Sequence, residues 1–181
     1  RANVYEAATG VAYYMYQPVD LDANGRIVAA IAGSAVNGFF ILGSIVGLYN
    51  DAFGPPDDAY SCYIPANPAS VNSAGVIKIL VADDPNQLFL IEEDTGGSAL
   101  DAQSVGSASV FTFLATTGNN VSGVCNAVFD RSLIATTSDL TLRLIKKWDK
   151  PDNAYGNYCK WVVAINRHRL SPQAIAGGNL I

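Results

Sequence analysis

The chain has 181 residues, 50% of them hydrophobic and only 15% charged, so it is too apolar for a disordered protein and long enough to bury a full core. Its formal net charge of −5 excludes a globally basic nucleic-acid-binding protein and restricts any phosphate-binding surface to a local patch. The length favours a single domain spanning residues 1–181, and the low charge suits a protein that buries surface against partners.

The chain opens with small residues and an aromatic cluster, Tyr13-Tyr14-Met15-Tyr16. This composition predicts an N-terminal arm over residues 1–16 that leads into a first strand and clasps a neighbour. A terminal strand paired within its own sheet is the alternative.

The run Ile27–Leu48 carries no charge and is long enough to cross a bilayer. Its four glycines and its polar residues disfavour a helix. The dipeptide Asn37-Gly38 is typical of a hairpin turn. The segment therefore predicts two buried strands, Ile27–Ala32 and Phe39–Val46, joined by a tight turn, and no membrane span.

Residues 50–72 are predicted to form a long loop, because the proline-bearing stretches Gly54–Asp58 and Ile64–Pro68 exclude regular structure over most of the segment. Loops of this length in compact domains are usually functional or bound to a partner. Tyr60, Tyr63 and Ile64 are apolar enough to dock on the domain itself or on a neighbour.

The stretch Gly75–Asp94 joins two apolar runs of strand length through the turn-forming residues Asp83-Asp84-Pro85-Asn86. It predicts a strand, a turn and a second strand, with Ile77, Ile79 and Val81 on one face.

Further strands are predicted at Val110–Leu114, at Val124–Phe129, around the alternating Leu140, Leu142 and Leu144, and at Tyr158–Ile165, where Trp161, Val163 and Ile165 share one face. The tail, residues 171–181, is predicted to be an arm. Many strands without a sustained helical period indicate a mainly β fold. We expect an antiparallel β-sandwich or β-barrel with long loops and extended terminal arms.

One local match points to a metal. Asp20–Gly25 reproduces the first half of a calcium-loop pattern, D-x-D-x-N-G, but Ile31 stands where the bidentate acid is required. Asn24-Gly25 alone is typical of a hairpin turn, which we favour over a metal site for Asp20, Asp22 and Asn24.

No catalytic centre is predicted. The acidic groups Asp57-Asp58, Asp83-Asp84 and Glu92-Glu93-Asp94 do not converge, because adjacent side chains on a strand point to opposite faces. The only histidine, His168, lies between two arginines, whose charges disfavour its protonated form. With no nucleophile elbow and no phosphate loop, we expect neither an enzyme nor a cofactor.

The cysteines, Cys62, Cys125 and Cys159, are odd in number and share no C-x-x-C spacing. They indicate neither a disulfide framework nor a zinc site. Reduced, mostly buried thiols are expected, as in a protein that folds in a cytosol, including that of a bacterial host; one exposed pair is the alternative.

Three blocks resemble a family of small virion structural proteins of tailed bacteriophages: Val81–Asp94, Ser132–Ile145 and Asp152–Leu170. The shared pattern is an aspartate-proline turn after a strand, a later strand after a threonine-rich turn, and a final strand that closes on Asn-x-His. With a looser similarity over Gly38–Tyr49, the resemblance covers about half of the chain.

The resemblance implies a capsid decoration or cement protein on the outer surface of the head, synthesised in the host bacterial cytoplasm. The implied partners are the major capsid protein and further copies of the chain, in a homotrimer, with no nucleic acid and no membrane. Residues 1–16, 50–72 and 171–181 would then be the contact segments. The expected contact residues are Tyr13, Tyr14, Tyr16, Tyr60, Tyr63, Ile64, Ile175, Leu180 and Ile181.

Two other functions remain open from the sequence. A tail, neck or fibre component of the virion would share the composition and the resemblance. A glycan-binding module or lytic enzyme would need converging acids or exposed aromatic side chains.

Overall fold

The computed structural model describes residues 1–8, 10–33, 39–50, 63–66, 77–136 and 140–171. These residues are mainly β, with antiparallel sheets, which confirms the predicted fold class. The described strands are β1 (Ala2–Glu6), β2 (Tyr13–Tyr14), β3 (Pro18–Leu21), β4 (Ile27–Ala29), β5 (Gly43–Asn50), β6 (Tyr63–Ile64), β7 (Ile77–Ala82), β8 (Leu88–Glu92), β9 (Ala108–Ser109), β10 (Phe111–Gly118), β11 (Cys125–Phe129), β12 (Leu142–Lys147) and β13 (Lys160–Ile165). Single 3₁₀ turns occur at Ala102–Ser104 and Arg131–Leu133.

The chain divides into two compact units, each assembled from segments that are far apart in sequence. Unit 1 comprises Arg1–Ala30, Leu42–Asp84 and Thr116–Asn126, and unit 2 comprises Ile31–Ile41, Pro85–Ala115 and Ala127–Ile181. Strands β10 and β11 form a two-stranded sheet. The expectation of a single domain stays a prediction.

Unit 1 is built on a five-stranded antiparallel sheet in the order β1-β7-β5-β3-β4. A parallel bridge joins Ala7, just beyond β1, to Ile27 at the start of β4. Strands β2 and β6 pair separately. One face of the large sheet carries the core, because alternate strand residues point to the same side. The fully buried core side chains include Tyr13, Val19, Ile27, Leu42, Ile45, Leu48, Ile64, Ile79 and Val81.

Unit 2 is built on a four-stranded antiparallel sheet in the order β8-β13-β12-β9. Strand β13 alternates as predicted, with Trp161, Val163 and Ile165 buried. Leu142 and Leu144 of β12 are also buried, so these two strands supply one apolar layer.

The hairpin predicted between Ile27–Ala32 and Phe39–Val46 is wrong. Strand β4 pairs with β3, and β3 lies between β4 and β5 in the sheet. The physical reason is local, because the Asp22 carboxylate accepts hydrogen bonds from the backbone N–H groups of Asn24 (2.8 Å) and Arg26 (2.9 Å) and so closes a turn between β3 and β4. The predicted turn at Asn37-Gly38 lies outside the described residues.

Both strands predicted within Gly75–Asp94 are present, but they do not pair with each other. Strand β7 pairs with β1 and β5, whereas β8 pairs with β13. Asp83 follows β7 directly and accepts hydrogen bonds from the side chains of Asn3 and Tyr5 on β1. These bonds hold the chain against β1 at the position where a hairpin would have to turn.

Residues 1–16, expected as an arm, are instead part of unit 1: β1 pairs with β7 along its whole length, and β2 pairs with β6. Of the predicted loop at residues 50–72, the structure describes Asn50 and residues 63–66, and of the predicted C-terminal arm it describes only Ser171. Within the described ranges, no helix has the length and apolar character that crossing a membrane requires.

Gly43 allows β5 to approach β7 closely. A methyl group at this position would lie 2.0 Å from the carbonyl oxygen of Ala82. We expect Gly43→Ala to lower the free energy of unfolding by about 3 kcal/mol, as overpacked cores do, measured by urea denaturation. The matched control is Gly47→Ala on the same strand, where the nearest atom would be the Leu80 Cβ at 3.3 Å. Equal losses in the two variants would contradict the close approach.

Candidate interaction surfaces

The structure places most of the predicted contact residues that it describes inside unit 1. Tyr13 and Ile64 are 0% and 1% exposed, and the Tyr13 hydroxyl donates to the carbonyl oxygens of Ala8 (3.0 Å) and Ile27 (2.8 Å). These side chains pack in the core and present no surface to a partner. The remaining predicted residues Tyr60, Ile175, Leu180 and Ile181 lie outside the described residues.

Tyr14 and Tyr63 also serve the fold. Their rings stack with centroids 5.4 Å apart and planes 15° apart, and the Tyr14 hydroxyl donates to Asn120 Oδ1 at 2.8 Å. A Cβ atom on Gly118 would lie 2.4 Å from the Tyr14 ring. The stack therefore fits a space that only glycine leaves open. Both rings pack within unit 1.

Tyr16 differs from its neighbours because its side chain is 60% exposed. Its N–H donates to the carbonyl of Ile45 at 2.9 Å, and Met15 exchanges hydrogen bonds with Gly123 and Cys125, both at 2.9 Å. These bonds fix the backbone on both sides and pair it with the segments that carry Val46 and Val124, each 38% exposed. We call Tyr16, Val46 and Val124 the Tyr16 patch.

The backbone of Tyr16 is strained. Its φ of +66° lies in the left-handed region, which is a true outlier for a bulky residue and costs about 1–2 kcal/mol. Glycine would adopt this conformation without strain. Tyr16 thus presents an exposed side chain of a type that is enriched at interface hot spots, on a hydrogen-bonded backbone.

A second exposed apolar surface lies on β8 of unit 2. Leu88 and Leu90 are 47% and 49% exposed, and their cross-strand partners on β13 are Ala164 and Val162. Strand β8 is at the edge of the sheet, and Leu88–Ile91 contains neither a charge nor a proline that would protect that edge. We call Leu88, Leu90, Val162 and Ala164 the β8 face.

Unit 2 contains a buried ion pair that the sequence did not reveal. The Glu93 side chain is fully buried, and its Oε1 lies 3.1 Å from Nη1 of Arg131, which is also buried. Glu93 Oε2 accepts a hydrogen bond from the Trp161 indole N–H at 3.0 Å. The guanidinium also donates to the carbonyl of Gly96 and to Asn157 Oδ1.

This network is structural. Burial raises the pKa of Glu93, and the hydrogen bonds from Trp161 and Arg131 limit that rise. Both carboxylate oxygens and all three guanidinium nitrogens have partners within the fold, so the pair holds these segments together. From the sequence, Glu92-Glu93-Asp94 was expected only as acids that do not converge on a site. The only signal in the sequence was the period of two along the preceding apolar strand, which places Glu93 on the inward face.

Asp83 forms a smaller buried cluster in unit 1. It is 2% exposed, and its Oδ2 accepts hydrogen bonds from Asn3 Nδ2 (2.6 Å) and from the Tyr5 hydroxyl. Burial alone would raise the pKa of Asp83, but these hydrogen bonds and the charge of Arg1 lower it below its ordinary value. Burial and the same hydrogen bond raise the pKa of Tyr5 to about 12. The carboxylate therefore anchors β1 in its ionised form.

The half calcium loop is a hairpin turn, as predicted. Besides the two backbone bonds to Asp22, the Arg26 guanidinium lies 3.0 Å from its second carboxylate oxygen. In the described ranges, no three His, Cys, Asp or Glu side chains are grouped so that they could hold a metal ion.

His168 and Cys159 are both buried in unit 2. His168 Nδ1 accepts a hydrogen bond from the backbone N–H of Leu170 at 3.0 Å, and the flanking guanidinium carbons of Arg167 and Arg169 lie 4.9 and 4.8 Å from the centre of the Phe40 ring. Burial raises the pKa of the Cys159 thiol, so this thiol is a poor nucleophile.

Breaking the buried pair should be costly. Glu93→Gln removes the buried counter-charge of Arg131 and leaves only the more distant Asp94 carboxylate, 3.9 Å from Nε, so we expect a loss of about 3 kcal/mol in the free energy of unfolding, measured by chemical denaturation. The adjacent Glu92→Gln is the control, because Glu92 is solvent-accessible and 3.9 Å from Lys160; such pairs contribute at most about 1 kcal/mol. Similar losses for both variants would refute a special role for Glu93.

The Asp83 cluster predicts a loss of stability in acid. Because the pKa of Asp83 is lower in the folded than in the unfolded chain, its contribution is present above the unfolded value of about 3.9 and disappears as the pH falls through the folded value. Asp83→Asn should lower stability at neutral pH by about 2 kcal/mol and flatten this acid dependence. Thermal unfolding from neutral pH to below about pH 3 would measure both effects. If Asp83→Asn keeps the wild-type acid profile, the anchor is not ionic.

Glu93, Asp83, His168 and Cys159 are thus buried, whereas the Tyr16 patch and the β8 face are exposed. No family model, curated protein or solved structure matches the chain.

Proposed function

We propose that the chain is a structural protein of a tailed-bacteriophage virion, and specifically a capsid decoration protein. It binds the major capsid protein on the outer surface of the head and stabilises the shell. The resemblance over Val81–Asp94, Ser132–Ile145 and Asp152–Leu170 suggests this role. The Tyr16 patch is the observation that carries it.

A decoration protein needs contact surfaces that are ready before it binds. The hydrogen bonds around Met15 and Tyr16 fix the backbone, so little backbone freedom is lost when the tyrosine side chain is buried by a partner. Tyrosine is also among the residues most enriched at interface hot spots. Repetition on a lattice adds affinity, so each individual contact can be small.

The ionisable groups support a role without catalysis. Glu93 and Arg131 neutralise each other in the interior, and Asp83 is used to anchor β1. None of these side chains is exposed. This pattern fits a protein whose surface, rather than a reactive cleft, performs the task.

A trimer is part of the proposal. A ring with three-fold symmetry requires two different surfaces on each copy that contact each other head to tail. The β8 face lies on an edge strand and is an apolar surface for one side of that contact. The Tyr16 patch is then left for the shell.

Tyr16→Gly separates binding from stability. It removes the aromatic side chain and relieves the left-handed strain, so the melting temperature should stay the same or rise. Binding to bare heads of the encoding phage should weaken by about tenfold or more, corresponding to about 1.4 kcal/mol, measured by co-sedimentation. Tyr16→Phe should retain most of the binding. Val105→Ala, at an apolar position in unit 2 that is 47% exposed, should not change it.

If Tyr16→Gly binds heads as tightly as the wild type does, the Tyr16 patch is not part of the shell contact. If the wild-type chain does not bind heads, the decoration role is wrong.

The number of copies in purified virions then tests the alternative. On the order of hundreds of copies are expected for a shell protein, and about a dozen or fewer for a tail, neck or fibre component.

A further inference from the structure

Two edge strands, β1 in the large sheet of unit 1 and β8 in the sheet of unit 2, have backbone groups that face away from their own sheet. In an antiparallel strand, alternate residues direct both their N–H and their C=O to the neighbouring strand, and the residues between them direct these groups away. The outward groups of an edge strand can bind a strand of another chain.

The outward groups of β8 belong to Leu88 and Leu90. The N–H of Glu93 donates to the carbonyl of Cys159 at 2.9 Å, in register with the β8–β13 pairs. Counted back from Glu93 in steps of two, the odd-numbered residues of β8 bond to β13, so Leu88 and Leu90 direct their N–H and C=O outward. The Leu88 carbonyl also accepts a hydrogen bond from Gln87 Nε2 at 3.0 Å, and its second lone pair can accept another.

The outward groups of β1 include those of Ala2 and Val4. The N–H of Ala7 donates to the carbonyl of Ile77 at 2.9 Å, in register with the β1–β7 pairs, so the odd-numbered residues of β1 bond to β7. The side chains of Ala2 and Val4 are both exposed, that of Val4 to 54%. Strand β1 therefore combines outward backbone groups with exposed apolar side chains, as β8 does.

Each of these edges is closed at its C-terminal end. Parallel bridges join Ala7, just after β1, to Ile27, and Glu93, just after β8, to Phe129. The open parts are residues 2–5 of β1 and 88–91 of β8, and both are free of charged residues and proline. These are the residues that commonly protect an edge strand from pairing.

The two open edges match in the antiparallel direction. Strands that pair in this direction place the closed end of each beyond the open part of the other. A parallel pair would bring both closed ends together, and it would set Glu6 opposite Glu92 when Val4 is opposite Leu90. Like charges directly opposite each other are destabilising.

We propose that β1 of one copy pairs with β8 of the next copy in a head-to-tail contact, with Val4 opposite Leu88 and Ala2 opposite Leu90. This inference rests on the trimer in the proposed function and names the two surfaces that form it. The outward N–H and C=O groups of the four residues bond to each other across the contact. Such main-chain hydrogen bonds supply the affinity when a strand is added to an open edge.

The side chains on the outer faces of the two sheets also match. The cross-strand partners of the four residues within their own sheets are apolar, on β7 for β1 and on β13 for β8. Cross-strand apolar pairs stabilise a sheet, so a second copy of the chain fits this edge. The contact creates two apolar rows across the joined sheets: Leu80, Val4, Leu88 and Ala164, and Ala82, Ala2, Leu90 and Val162.

Cross-linking between copies tests the pairing. Val4→Cys and Leu88→Cys chains are purified separately, mixed at a concentration at which the wild type is a trimer, and treated with a short bis-maleimide. Opposite residues of an antiparallel pair have Cβ atoms about 5 Å apart. The mixture should therefore give a covalent dimer on a denaturing gel, above the background from the native cysteines, and neither variant alone should do so. Val4→Cys mixed with Val105→Cys, at an apolar position of unit 2 that is 47% exposed, is the matched control and should stay at the background.

A charge on the open edge should prevent the pairing. Leu90→Lys should weaken association by about tenfold or more, so its mass in light scattering should fall from that of a trimer towards that of a monomer. Leu90 is 49% exposed, so the fold should persist, which the near-ultraviolet circular dichroism spectrum checks. Val105→Lys and Tyr16→Gly should both remain trimers, because neither changes an edge strand.

If Leu88→Cys cross-links with itself as strongly as with Val4→Cys, β8 pairs with a second β8 and the proposal is wrong. If Leu90→Lys remains a trimer, the pairing is wrong but the trimer stands. A monomeric wild-type chain would overturn both the pairing and the trimer. No phage head enters these experiments, so the decoration role is tested separately by co-sedimentation.

Discussion

Strands β7 and β8 follow each other in the chain, yet each satisfies its backbone hydrogen bonds with strands from distant parts of the sequence. Backbone N–H and C=O groups that stay unpaired in an apolar interior lower the stability of the fold substantially. These pairings therefore determine where the neighbouring segments must run. In unit 1, β7 requires β1 on one side and β5 on the other. In unit 2, β8 requires β13. Such non-local pairing predicts slow folding, because distant segments must meet before either sheet forms.

Two buried carboxylates in this arrangement are stabilised in different ways. Asp83 accepts hydrogen bonds from two side chains of β1 and so remains an anion in the interior of unit 1. Glu93 has a full counter-charge in Arg131, together with the Trp161 indole, in unit 2. In both cases a buried carboxylate stabilises contacts between strands. The exposed surface therefore carries the functional proposals.

Tyr16 and Tyr158 share one feature of the backbone. Tyr16 in unit 1 and Tyr158 in unit 2 are both exposed, and both have a left-handed backbone conformation that glycine would adopt without cost. Strain of this kind persists only where the surrounding hydrogen bonds enforce it. The two positions differ in their place in the chain: Tyr16 follows β2 in unit 1, whereas Tyr158 lies just before β13 in unit 2.

The sequence by itself determined the mainly β class, because alternation of period two is a local property: Ile77, Ile79 and Val81 lie on one face, as do Trp161, Val163 and Ile165. The turn at Asp20–Gly25 was equally local. Tertiary structure alone decided which strands pair, since many apolar strands have compatible edges and the best partner depends on contacts far along the chain. It also buried Glu93 and Tyr13 and exposed Tyr16, because solvent access at a given residue depends on the segments that pack over it.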